Sequence, residues 1–115
     1  MNQFILLLHY TGEAEAAFNA LPKDEFKAAI AKYKAFAAEL AADNRLIAAE
    51  GLQDTGKVIR KTQGSITITD GPYILAKEMV GGFYLFTANS LEEAIEIAQQ
   101  CPALETGGTV ELRPI

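Results

Sequence analysis

TDGPYILAKEMVGGFYLF, residues 69–86, is the segment around which the rest of the chain is laid out. Just before it, Ile66 and Ile68 alternate with Ser65, Thr67 and Thr69, which is the period of a strand over residues 65–69. Asp70-Gly71-Pro72 stops that strand. Gly takes backbone angles that other residues avoid, Pro fixes its own φ and removes a donor, and Asp hydrogen-bonds amides just beyond itself. Gly81-Gly82 then opens a second strand, Phe83-Tyr84-Leu85-Phe86, with Lys77 and Glu78 lying between the two. A carboxylate at a strand stop, followed by glycines that let backbone approach another group closely, has the shape of a pocket lip.

Working outward, residues 4–9 form a strand apolar on both faces, with Phe4, Leu6 and Leu8 on one side and Ile5, Leu7 and His9 on the other. Residues 11–20 are small, polar and acidic and read as a loop with a short helical turn. Pro22, Asp24 and Glu25 begin a long helix whose apolar stripe is Phe26, Ile30, Tyr33, Ala37 and Leu40, with Phe36 beside it; Asp43-Asn44 closes it. Residues 45–53, 56–61 and 65–69 read as three strands of an antiparallel meander, joined by the glycine-bearing turns at 54–56 and 62–64. Ser90 caps a second helix with Leu91, Ile95 and Ala98 as its buried stripe, Pro102 ends it, and residues 109–114 make a last alternating strand. The order β-α-β-β-β-α-β, with an optional extra hairpin in the middle, predicts an α+β, ferredoxin-like antiparallel sheet with two helices on one face. The other face carries Ile5 and Leu7 and one of the pairs Phe83/Leu85 and Tyr84/Phe86. An apolar face of that size calls for a second copy, so a homodimer is expected.

Composition narrows the function. At 115 residues, half of them hydrophobic and 22% charged, the chain is a single ordered domain over residues 1–115. Ten basic against fifteen acidic residues give a net charge of −5, which argues against nucleic acid. The single cysteine, Cys101, excludes an internal disulfide and points to a reducing, cytoplasmic setting. The opening run MNQFILLLHY has no basic residue ahead of it and is too short to span a bilayer, so no membrane association is expected. One histidine among scattered carboxylates makes no metal site, and no cofactor motif is present.

The opening strand FILLLHY, the segment LIAAEGL, the signature TDGPY followed by KEMVGGFYLF, the helix LEEAIEIAQQCP and the ending GGTVELRPI together resemble the DGPF proteins of the YCII-related superfamily. The resemblance covers nearly the whole chain in the right order. It implies a dimeric α/β barrel of ferredoxin-like halves, a bacterial cytoplasmic setting, and relatives that sit beside or are fused to extracytoplasmic-function sigma factors, which makes such a factor a candidate partner. Enzymes of similar fold include muconolactone isomerases and small-molecule monooxygenases, and a His-Asp pair has been proposed as catalytic in YCII-type relatives. The chain departs from the family pattern at Tyr73, where the signature has Phe, and at Ile74-Leu75-Ala76, where the usual Ala-Glu-Thr would supply a carboxylate.

Each candidate residue has a structural reading beside its functional one. Asp70 is a pocket carboxylate or simply the residue a Gly-Pro turn wants. His9, the sole histidine, suits a general base, or it is a hydrogen-bonded strand-end residue. Glu78 lines a pocket, or it pairs with Lys77 or with solvent on a hydrated rim, and Tyr73 and Tyr84 offer a phenol to a ligand or fill the core. Glu111 and Arg113 alternate on one strand face and read as cross-strand or dimer contacts, and Cys101 as a small buried hydrophobe. Two functions follow, with a protein partner of a sigma factor as a weaker third. One is a small-molecule binding or sensing module whose pocket is lined by His9, Asp70, Tyr73, Glu78 and Tyr84. The alternative is a cofactor-free enzyme using His9 with Asp70 as an acid/base pair on a small organic substrate.

Overall fold

A computed structural model describes residues 1–71 and 78–115. Four strands form one antiparallel sheet: β1 (Asn2–Tyr10), β2 (Leu46–Gly51), β5 (Met79–Ala88) and β6 (Thr109–Pro114), in the order β2-β5-β1-β6. Among the described residues, strands β3 (Gly56–Thr62) and β4 (Ser65–Gly71) pair only with each other, as a separate two-stranded hairpin. With that hairpin set aside, the sheet order is the ferredoxin-like one, and the chain has an α+β fold. The expected meander is corrected: β2 leaves β3 and pairs with β5, matching Ala49 to Tyr84 and Glu50 to Phe83. In β2, Leu46 and Ala49, on either side of a register irregularity, pack against the core, whereas β3 and β4 are exposed along nearly their whole length.

Among the described residues three α-helices, not two, accompany the sheet: α1 (Gly12–Asn19), α2 (Lys23–Ala42) and α3 (Leu91–Ala98). The segment read as a loop is mostly α1. Its Thr11 hydroxyl accepts from the Ala14 amide at 3.1 Å, and Glu13 and Glu15 occupy the positive end of the dipole. Phe18 holds it down, its ring centroid 5.1 Å from that of Phe26 and 6.4 Å from that of Tyr33 on α2. Helix α2 ends as expected at Asn44, which takes φ 58° while the Arg45 amide donates to the Leu40 carbonyl at 2.8 Å.

In α3 the buried residues are Ala94 and Ala98, while Leu91 and Ile95 face solvent, which corrects the expected stripe. Its start is tied to the sheet. Ser90 Oγ accepts from the Glu93 amide, and Glu93 accepts from the Asn89 amide at 3.0 Å and from Arg45 at 2.6 Å. Those bonds, the Asn89 amide first and the Arg45 guanidinium second, hold the Glu93 carboxyl below the usual range.

The core lies between the sheet and the helices, and its centre is Phe4, Leu6, Leu8, Phe36, Tyr84 and Phe86. The aromatic pairs are thereby resolved: Tyr84 and Phe86 point to the helices and Phe83 and Leu85 to the opposite face, beside Ile5 and Leu7. Cys101, 2% exposed, packs in the core, and burial pushes its thiol pKa up.

Candidate functional site

A cleft of about 550 Å³ opens between α1, α2 and the edge of the sheet formed by β2, β5 and the end of β1. Its walls are largely apolar: Leu8, Phe18, Ile30, Ala37, Ala49 and Met79. Among the described residues three phenols converge on it from three elements, Tyr10 from β1, Tyr33 from α2 and Tyr84 from β5. Glu15, Lys34 and Asp54 add charged groups to its lining, and Glu50 borders it from the strand face that it shares with Phe83.

Two of the phenols are committed to the protein. Tyr84, its ring edge-on to Phe36 at 4.9 Å, donates to the Tyr33 carbonyl at 3.2 Å. The Thr106 hydroxyl donates to the Ala103 carbonyl, so at the 3.1 Å contact between them Tyr33 Oη donates to Thr106 Oγ1. Among the described residues the Tyr10 hydroxyl has no hydrogen-bond partner. Burial raises the pKa of all three above the ordinary 10.0, Tyr84 farthest, so each is a neutral donor across the physiological range.

The paired glycines have a physical reason here. A Cβ on Gly81 would sit 1.6 Å from the Tyr10 hydroxyl oxygen, so the phenol lies across the bare backbone of Gly81. A Cβ on Gly82 would meet the Glu50 carbonyl oxygen at 2.9 Å, where β2 closes on β5. The group that Gly81 admits is a side chain of the chain's own first strand.

Of the residues singled out from sequence, Tyr84 lines this cleft. His9 follows an irregularity between Leu8 and His9 in the β1–β5 register; by strand alternation it lies on the face away from the helices, and its Nε2 hydrogen-bonds Glu111 Oε1 at 2.8 Å. Asp70 lies on the hairpin, its side chain 89% exposed, and pairs with Lys57 at 2.5 Å. His9 and Asp70 thus engage different partners. Glu78 is exposed and accepts from Thr109 Oγ1 at 3.5 Å. Tyr73, Lys77 and the substituted triplet 74–76 lie outside the described residues.

Sequence reasoning missed Tyr10, Tyr33 as a cleft residue, Phe18 and Thr106. Continuing the alternation of Phe4, Leu6 and Leu8 by one step would have placed Tyr10 on the helix-facing side, opposite the glycine pair.

Residues 3–115 match the sequence profile of the YCII-related domain. The chain belongs to the YCII-related family. It is also 36% identical over 58 residues to a protein of Rhizobium meliloti (strain 1021) that is described as uncharacterized. That match covers 50% of this chain and 47% of the relative, so it spans about half the length of the curated protein. Among the described residues of this YCII-related domain, no helix is long and apolar enough to cross a membrane.

Proposed function

We propose that this YCII-related domain is a binding module for a small, largely apolar molecule, which it takes into the cleft between α1, α2 and the sheet. The observation that carries the reading is the convergence of three neutral phenols on an apolar cleft of about 550 Å³, a volume within the roughly 300–1,000 Å³ of small-molecule sites. The reading includes a homodimer. Ile5, Leu7, Phe83 and Leu85 form a helix-free sheet face, and the hairpin adds Ile59, Ile66 and Ile68, each more than 60% exposed. A second copy covers both.

A thermal-shift screen of small molecules tests the module, run on the natural chain and on Ala37→Phe, whose ring would occupy the cleft. A ligand at a hundred times its dissociation constant stabilises by about 2.7 kcal/mol. Ala37→Phe is expected to abolish that shift while retaining the fold. A screen without hits, or hits indifferent to Ala37→Phe, would overturn the reading. Light scattering at micromolar concentration tests the dimer, with twice the chain mass expected.

One observation favours acid/base chemistry as a second reading. His9, with its side chain 20% exposed and bonded to Glu111, forms a histidine–carboxylate pair, with Glu111 in the place expected for Asp70.

A further inference from the structure

Resting on the binding reading above, we propose that the Tyr10 hydroxyl is the polar anchor of the cleft and that the ligand is an uncharged apolar molecule carrying a hydrogen-bond acceptor such as a ketone, ester or lactone carbonyl. Tyr84 donates to the Tyr33 carbonyl and Tyr33 to Thr106, so neither hydroxyl proton is available to a guest. Among the described residues Tyr10 is the remaining phenol of the lining, and its hydroxyl proton has no acceptor there. A half-buried hydroxyl facing an apolar cleft favours a guest that brings an acceptor, because a donor without a partner forfeits a hydrogen bond on losing water.

Its position is fixed. The ring lies across Gly81, where even a methyl group would collide with it, so the hydroxyl is aimed by packing and loses little entropy when it bonds a ligand.

The charges of the lining set the other half of the specificity. Among the described residues of the lining, Glu15 and Asp54 stand against Lys34, an acidic excess that opposes a carboxylate or phosphate guest. Desolvation keeps the phenol protonated, so it serves as a donor and not as a negative group.

Three naphthalene probes of nearly equal shape separate the possibilities: acetylnaphthalene, ethylnaphthalene and naphthoate, titrated by intrinsic probe fluorescence. The ketone is expected to bind about fivefold tighter than the hydrocarbon, the ratio that one neutral hydrogen bond of about 1 kcal/mol gives, and naphthoate weakest of all. Tyr10→Phe should erase the ketone's advantage and leave ethylnaphthalene affinity unchanged, which also reports that the variant is folded. Equal affinities of ketone and hydrocarbon in the natural chain would overturn the Tyr10 assignment while leaving the apolar cleft standing. Tightest binding of naphthoate would overturn the uncharged class. Failure of all three probes to bind would overturn this inference, and an unoccupied screen with Ala37→Phe as control would then remove the binding reading as well.

Discussion

The four-stranded sheet and the β3–β4 hairpin are built from the same kind of residue and meet opposite fates. Phe86 and Leu6 are fully buried, whereas Ile66 and Ile68, in an equally regular strand, are each 64% exposed. Register explains how the hairpin displays them: Ile59 faces Ile68 and Lys61 faces Ile66, so all three isoleucines share one side while Arg60, Thr67 and Thr69 share the other. The sheet has α2 and α3 to cover one face; among the described residues the hairpin has no comparable layer. It projects, and the radius of gyration of 15.9 Å exceeds the roughly 13 Å of a compact chain of this length. Alternation of apolar and polar residues specifies a strand, but what lies over that strand is decided by the segments around it.

The strongest way to break this contrast is to truncate one residue from each region. Phe86→Ala should cost about 3–5 kcal/mol through the cavity it leaves. Ile66→Ala should cost the isolated chain no more than about 0.5 kcal/mol, as surface substitutions do. Urea midpoints at two protein concentrations check both, since any loss at Ile66 that depends on concentration locates it in the contact between copies. Comparable losses in dilute protein would place the hairpin within the core.

The next effect is smaller and sharpens the cleft side of the comparison. Tyr84→Phe removes the donor to the Tyr33 carbonyl and should cost about 1 kcal/mol. It should also alter the alkaline limb. Burial raises the folded-state pKa of Tyr84, and less so those of Tyr10 and Tyr33, so their contribution is whole below the ordinary value of 10.0 and is lost as pH rises through the folded values. Stability should therefore fall from about pH 10 upward, and less steeply in Tyr84→Phe, as followed by circular dichroism.

The smallest effect is expected on the hairpin. Asp70→Asn loosens an exposed pair with Lys57 and should change stability by no more than about 0.5 kcal/mol, with ligand affinity unaltered. A tenfold loss of affinity would instead make Asp70 part of the site.

Much of the fold was legible. The two-faced opening strand, the Asn44 stop, the Ser90 cap and the Gly64 turn are local signals, each satisfied by groups within a few residues. The Gln63-Gly64 turn has both residues at positive φ, 51° and 83°, as a tight hairpin requires. The partner of β2 was not legible, because residues 45–53 alternate equally well whether paired with β3 or with β5, and the choice rests on packing beneath α2. Helix α1 was obscured by small residues that carry little periodicity, although Thr11 with Glu13 and Glu15 marked its start. In α3 the large residues suggested the wrong side: Ala94 and Ala98 let the helix lie close to the sheet, and Leu91 and Ile95 are left outside. At the site, the glycine pair announced a close approach without saying what approached. Tyr10 is 71 positions upstream of Gly81, and only the pairing of β1 with β5 brings them together.

The place of β1 in the sheet also governs how the molecule is assembled. Its two edges are filled by β5 and β6, and the pair His9–Glu111 joins residues 102 positions apart. During synthesis the first strand emerges with both edges open, acquires one neighbour when β5 appears, and is flanked on both sides only after β6 has left the ribosome. Such long loops make the closing step slow for a domain of this size, because their entropy is lost before the contacts form. Until that moment the apolar strand Phe4–Ile5–Leu6–Leu7–Leu8 is a template for any other extended chain. In the finished domain its amides should be among the last to exchange with solvent, while those of β3 and β4, paired only with each other, exchange through local opening that leaves the rest of the sheet intact.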